Sequence, residues 1–136
     1  MSTLYDLESA TEMLGRVRPV AEALHDQRDE VARLTERLRA AELDEGTDPA
    51  VAAVLRARIR ALVDQMEGAV ERLDEWDVVL RDIRTGLLDF PALLDGRRIW
   101  LCWRIGEDGI SWWHEVTAGF EGRRPTNELG RGARTI

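Results

Sequence analysis

The sequence predicts an α+β fold: a long antiparallel helical hairpin, preceded by a short N-terminal helix, that carries a small C-terminal antiparallel β-sheet or hairpin. Three observations predict it. Apolar residues recur at alternating steps of three and four along two stretches of the first half. A breaker, ELDEGTDPA, separates those stretches. Beyond residue 96 the pattern shifts to strands around an Asp-Gly pair, a strong short-range hairpin signal.

Asp6 before LESATEML is an N-cap, and Leu7, Ala10 and Leu14 share one face of the short first helix, which Gly15 loosens. Pro19 restricts Arg18; it reads equally as the first residue of a new helix or as a kink in a continuous one. From there Val17, Val20, Leu24, Val31, Leu34, Leu38 and Ala41 follow a heptad seam broken only at Gln27. Asp29 with Arg33, and Glu36 with Arg39, stand at helical-neighbour spacing on its exposed sides. After Gly46, Asp48 is an N-cap and Pro49 opens a second long helix, whose seam of Leu55, Ile59, Leu62, Met66, Ala69, Leu73 and Trp76 has no miss. Two such helices, roughly 40 Å long at about 1.5 Å per residue, are antiparallel neighbours when a short loop joins them. A bare hairpin leaves each seam half covered, so a coiled-coil homodimer through the heptad helices is expected.

After Trp76 the period changes. Val78 and Val79 are β-branched, Arg84, Thr85 and Gly86 read as a turn, and the strand LLDFP is stopped by Pro91. A continued helix competes with a strand over residues 78–83, because Leu80 and Ile83 also fit the heptad. Asp95-Gly96 turns the chain into RRIWLCWRI, and Asp108-Gly109 turns it again into ISWWHEV. The ending GRRPTNELGRGARTI has little periodicity and is expected to be an extended arm or partly disordered. The chain therefore reads as one domain: a helical part over 1–77, a β part over 78–120 and an arm over 121–136.

Its 136 residues suffice for a core without metals or disulfides, since a fold of that length buries about two-thirds of its unfolded surface. A single cysteine closes no internal bridge, the acidic start lacks a signal peptide's basic and apolar regions, and no apolar run would span a bilayer. The expected compartment is the reducing cytoplasm, with no membrane partner. A net charge of −7 argues against a nucleic-acid partner. Residues 96–136 are nonetheless locally basic, with seven Arg against five acidic residues. Every one of the nineteen basic residues is Arg.

The stretch LCWRIGEDGISWWHE concentrates Cys102, three tryptophans and His114. Loops of two residues at Asp108-Gly109, or of four over Gly106–Gly109, pair residues whose numbers sum to an odd total. One face then carries Ile99, Leu101, Trp103, Ile105, Ile110, Trp112, His114 and Val116, and packs on the helices. The other carries Arg98, Trp100, Cys102, Arg104, Ser111, Trp113, Glu115 and Thr117. This places Cys102 and His114 on opposite sides and disfavours cysteine catalysis, although a bulge at Gly109 would reverse the parity. A lone His on a core face is most often a satisfied structural imidazole. No closed zinc site follows from one Cys and two distant His, so no metal or cofactor is expected; an open site of His114 with Glu107 and Glu115 is the remaining metal alternative. Asp89, before Phe-Pro, is expected to order a loop through backbone N–H groups rather than to bind a ligand.

The run GLLDFPALLDGRRIWLCWRIGEDGISWWHEVTAGFEGRRP, with YDLESATEML at the start, resembles a bacterial and archaeal family catalogued as domain of unknown function 2203. Its most specific parts here are Asp89-Phe90-Pro91, Leu101-Cys102-Trp103, Gly106-Glu107, Trp113-His114-Glu115, and Gly119-Phe120 with Gly122-Arg123. The resemblance implies a shared module and no particular activity. Where that family often has Gly near the end of the long helix, this chain has Asp77. The leading expectation is a homodimeric structural or protein-interaction module, its candidate ligand or partner face made of Trp100, Cys102, Arg104, Glu107, Trp113, His114, Glu115 and Arg123. The competing expectation is a small-molecule or metal-dependent enzyme with a pocket where sheet meets helices; there Arg104, Glu107, His114, Glu115 and Arg123 are the candidates, and Arg123 and Arg124 beside Gly122 suit an anion.

Overall fold

The computed structural model describes residues 3–129. Helices α1 (Leu7–Leu43) and α2 (Pro49–Glu75) are followed by strands β1 (Val79–Asp82), β2 (Leu87–Leu94), β3 (Arg97–Trp103), β4 (Trp112–Glu115) and β5 (Arg124–Pro125). The strands form one antiparallel sheet in sequence order, and short 3-10 turns at Phe120–Gly122 and Thr126–Leu129 flank the last strand. The expected arm thus contributes β5 and the second of these turns, while residues 130–136 lie outside the described residues.

A capping box starts α1: the Ser9 backbone N–H donates to Asp6 Oδ1 at 2.7 Å, and the Asp6 N–H donates to Ser9 Oγ at 3.0 Å. The segment expected as a separate short helix is the first turns of α1, which continues through Pro19. A proline ring inside a helix collides with the carbonyl four residues earlier. Here that carbonyl belongs to Gly15, whose backbone yields most readily and whose Cβ position is open space. At α2 the Asp48 carboxylate accepts from the Ala50 N–H at 2.9 Å, with Pro49 at the first helical position. Contacts between Gln27 and Gln65, Glu30 and Arg58, and Glu42 and Arg56 run in opposite senses along the two helices, as a hairpin requires.

Of the two readings of residues 78–83, the strand holds. Asp77 adopts φ +57°, and the Val78 and Asp77 N–H groups donate to the carbonyls of Leu73 and Asp74, each at 3.0 Å. This is a Schellman ending, which normally takes Gly at the left-handed position. Val78 and Leu73, both buried, supply its usual apolar contact. The N-terminal segment straps this end down: the Tyr5 hydroxyl donates to the Trp76 carbonyl, and the Thr3 N–H donates to Asp77 Oδ2 at 2.6 Å.

Pro91 does not stop β2, which runs on to Leu94. The Pro91 carbonyl accepts from the Tyr5 N–H at 2.7 Å, so its polar side faces away from β3 and its missing N–H breaks no bond of that ladder. Asp95 and Gly96, at φ +51° and +80°, then form the two-residue turn into β3. One core joins the halves. Ala10, Leu14, Val17, Ala21 and Leu24 of α1 and Ala69 and Leu73 of α2 pack on Leu88, Phe90, Ala92, Ile99, Leu101, Trp103 and Trp113. Leu34, Ala52 and Leu55 are buried separately, nearer the hairpin's tip. No helix among the described residues is long and apolar enough to cross a membrane.

Candidate metal centre

The site lies on the sheet face turned away from the helices, and register puts it there. Asp89 pairs with Cys102, Trp100 with His114, and Cys102 with Trp112. The β3–β4 partners therefore sum to 214, an even number, which overturns the odd pairing expected from the sequence. Cys102 and His114 project to the same side. The physical reason is the position of the turn. The chain reverses first at Arg104–Glu107, where the Glu107 N–H donates to the Arg104 carbonyl at 3.0 Å and Gly106 sits at φ +102°. The Arg104 N–H donates to Glu107 Oε1 at 2.7 Å and Trp103 Nε1 donates to the Glu107 carbonyl at 2.9 Å, which lock that turn. Asp108-Gly109, the stronger signal in the sequence, lies inside a longer loop.

Every assignment on β4 changes with the parity. Trp113, expected outside, is 3 % exposed in the core, whereas Trp112 and His114, expected inside, lie on the outer face. Val116, also expected in the core, is 52 % exposed. His114 is buried all the same, together with Asp89 and Cys102. The ligand atoms of these three residues lie within 4.8 Å of one another. They contribute to a cavity of about 310 Å³ that Arg81, Leu87, Val116, Ala118, Gly119 and Phe120 complete.

The hydrogen bonds define what the cluster can do. His114 Nδ1 lies 2.8 Å from the Glu115 carbonyl, which only accepts, so Nδ1 carries a proton. Nε2 then faces Asp89 Oδ2 at 3.0 Å. A neutral ring turns a lone pair onto that carboxylate, an arrangement made favourable by a cation; a doubly protonated ring would satisfy Oδ2 instead. Oδ2 already accepts from Arg81 Nε at 2.8 Å, while the buried Oδ1 has no hydrogen-bond partner among the described residues. Burial, and then the negative charge of Asp89, push the Cys102 thiol up to about 12. Both facts argue against a cysteine nucleophile. The lone pair of Nε2 is turned onto Asp89 rather than onto the sulfur, and the thiol is displaced away from the thiolate form.

The other candidates fall into separate places. Trp100 shares the outer face, with the guanidinium groups of Arg81 and Arg98 at 4.8 Å and 5.3 Å from its ring centroid. Arg104, Glu107 and Arg123 form an adjoining cluster: Arg123 Nη2 donates to both Glu107 oxygens at 2.8 Å and 2.7 Å, with its guanidinium against Trp112 and Phe120. Glu115 pairs with Arg97 at 2.8 Å. Glu107 and Glu115 are thus committed elsewhere, and of the alternative metal set only His114 stands in the three-donor cluster. Asp89, read from the sequence as a loop-ordering residue, is instead a strand residue at the centre of the site. Its signal was present, as a carboxylate inside an otherwise apolar strand. Arg81 left none, because its placement follows from a bulge between Leu80 and Asp82.

Residues 3–126 match the family described as Uncharacterized conserved protein (DUF2203). No curated protein and no solved structure matches the chain. Because the family match takes in both helices and all five strands, the chain belongs to DUF2203.

Proposed function

We propose that the protein is a metal-dependent small-molecule enzyme, with one zinc-like divalent cation held by Asp89, Cys102 and His114. Three buried ligand atoms within 4.8 Å of one another, with the second carboxylate oxygen of Asp89 left without a hydrogen-bond partner among the described residues, carry this reading. Thiolate, imidazole and carboxylate are the ligand types zinc prefers, and atoms around a tetrahedral zinc lie roughly 3.3–3.8 Å apart given bonds of about 2.0–2.3 Å. The Nδ1–H bond to the Glu115 carbonyl is the kind of support that fixes a ligating imidazole with Nε2 toward the metal. Three protein ligands leave a fourth position toward the cavity, where a cation polarises a bound oxygen or activates water. A lone thiol ligand suits a reducing cytoplasm, where we place the chain. The test is cobalt substitution of the full chain with spectroscopy, alongside zinc competition against a chromogenic chelator. One equivalent should bind, with a thiolate-to-cobalt charge-transfer band that Cys102→Ala abolishes; no band, or stoichiometry unchanged in that variant, ends the reading.

A second property, self-association, has its own support in the helical half. A groove of about 510 Å³ lies between the helices, lined by Leu24, Val31, Val63, Met66, Val70 and Ile83, with Arg28 on α1 and Glu67 and Glu71 on α2. A two-fold related copy would set the arginine of each chain against the acidic pair of the other while covering the apolar floor. Light scattering should give twice the chain mass, and Val63→Glu with Val70→Glu should halve it without altering zinc binding. A monomeric wild-type protein would refute this.

A further inference from the structure

We infer that the cavity beside the Asp89–Cys102–His114 centre receives a small molecule bearing an oxyanion, a carboxylate or a phosphate, which Arg81 takes by its terminal nitrogens; this rests on the metal reading above. Arg81 is fixed at two points. Its Nε donates to Asp89 Oδ2 at 2.8 Å, and its guanidinium carbon lies 4.8 Å from the Trp100 ring centroid. Neither Nη1 nor Nη2 has a hydrogen-bond partner among the described residues, and the side chain is 42 % exposed. A guanidinium held in this way has lost its rotamer freedom in advance, and it presents a planar fork of donors that matches an oxyanion.

Charge points the same way. Asp89 and a Cys102 thiolate together balance a divalent ion, which leaves Arg81 as the uncompensated cation on the cavity wall. Leu87, Val116 and Phe120 add apolar side chains to the lining, suited to a short hydrocarbon body. A volume of about 310 Å³ falls at the lower end of small-molecule sites, roughly 300–1,000 Å³, and so favours a metabolite over a polymer.

The experiment is calorimetry on the zinc-loaded full chain, with inorganic phosphate and butyrate as separate probes; the better binder identifies the headgroup. On protein kept saturated with zinc, Arg81→Gln should weaken that probe at least tenfold, and Arg81→Lys, which keeps the charge but not the fork, should fall between. Val116→Trp alters neither Arg81 nor the centre and should weaken the same probe by filling the mouth of the cavity. If zinc binds but neither probe does, or if both bind the variants as they bind wild type, the oxyanion inference fails and the metal reading stands. If wild-type protein binds no zinc, both fall.

Discussion

At Cys102 two influences oppose each other: burial and Asp89 favour the neutral thiol, while Arg123 favours the thiolate, and the first pair prevails. A metal-free thiol held near 12 should react with iodoacetamide at pH 8 on the order of 10²- to 10³-fold more slowly than in the unfolded chain, which mass spectrometry over a time course will read. Fast alkylation of the folded protein would contradict the burial. Tyr5 makes a pH prediction whose sign follows from its surroundings. Burial and then the charge of Asp77 raise its phenol, so above the ordinary value of about 10 the unfolded chain releases a proton that the native state keeps. Stability contributed by the neutral phenol is complete below that pH and declines above it. Tyr5→Phe should cost about 1 kcal/mol at pH 7 through the lost bond to the Trp76 carbonyl, and should flatten the alkaline decline in urea denaturation. Asp77, at φ +57°, should accept Gly with little change in melting temperature, whereas Val there should lower it by several degrees. At this scale the sequence was uneven: Asp6 and Asp48 announced their capping roles, but the position of Asp89 depended on partners far along the chain.

Among the elements, the helices were readable because a heptad pattern is local, and a cap or breaker three residues away tests it. Sheet faces were not, because one residue's change in loop length reverses every side chain beyond it. The Arg104–Glu107 turn made that change through the Glu107 carboxylate and the Trp103 indole, contacts that no dipeptide preference encodes. The result interchanges two adjacent tryptophans. Trp113→Ala should now cost about 3–5 kcal/mol as a core truncation, and Trp112→Ala less than half as much, by urea denaturation. Equal losses would place both in the core. Gly86→Ala tests the turn before β2: at φ +67°, an added Cβ would lie 2.3 Å from Ile105 Cδ1, so the variant should be destabilised by more than about 1 kcal/mol, the reverse of the small gain that Gly-to-Ala gives where the backbone is compatible.

For the whole molecule, the α+β class and hairpin were legible in periodicity, and the five-stranded meander only in part, since β5 is two residues long and carries no pattern of its own. The site was least legible, because it draws Arg81, Asp89, Cys102 and His114 from four strands and so depends on the register of the whole sheet. Zinc at a hundredfold excess over its dissociation constant should stabilise the native protein by about 2.7 kcal/mol, and His114→Ala should abolish that shift in a thermal melt. The strap at Tyr5 has a consequence of another kind. The helices pair with their immediate neighbour, and so does each strand, whereas Tyr5 reaches across to Trp76 and Pro91. Closing so long a segment before anything else has formed is entropically slow, so it belongs late on the folding route. Tyr5→Ala should therefore accelerate unfolding and leave the refolding rate almost untouched, making Tyr5 the fastener of a nearly finished structure rather than its seed.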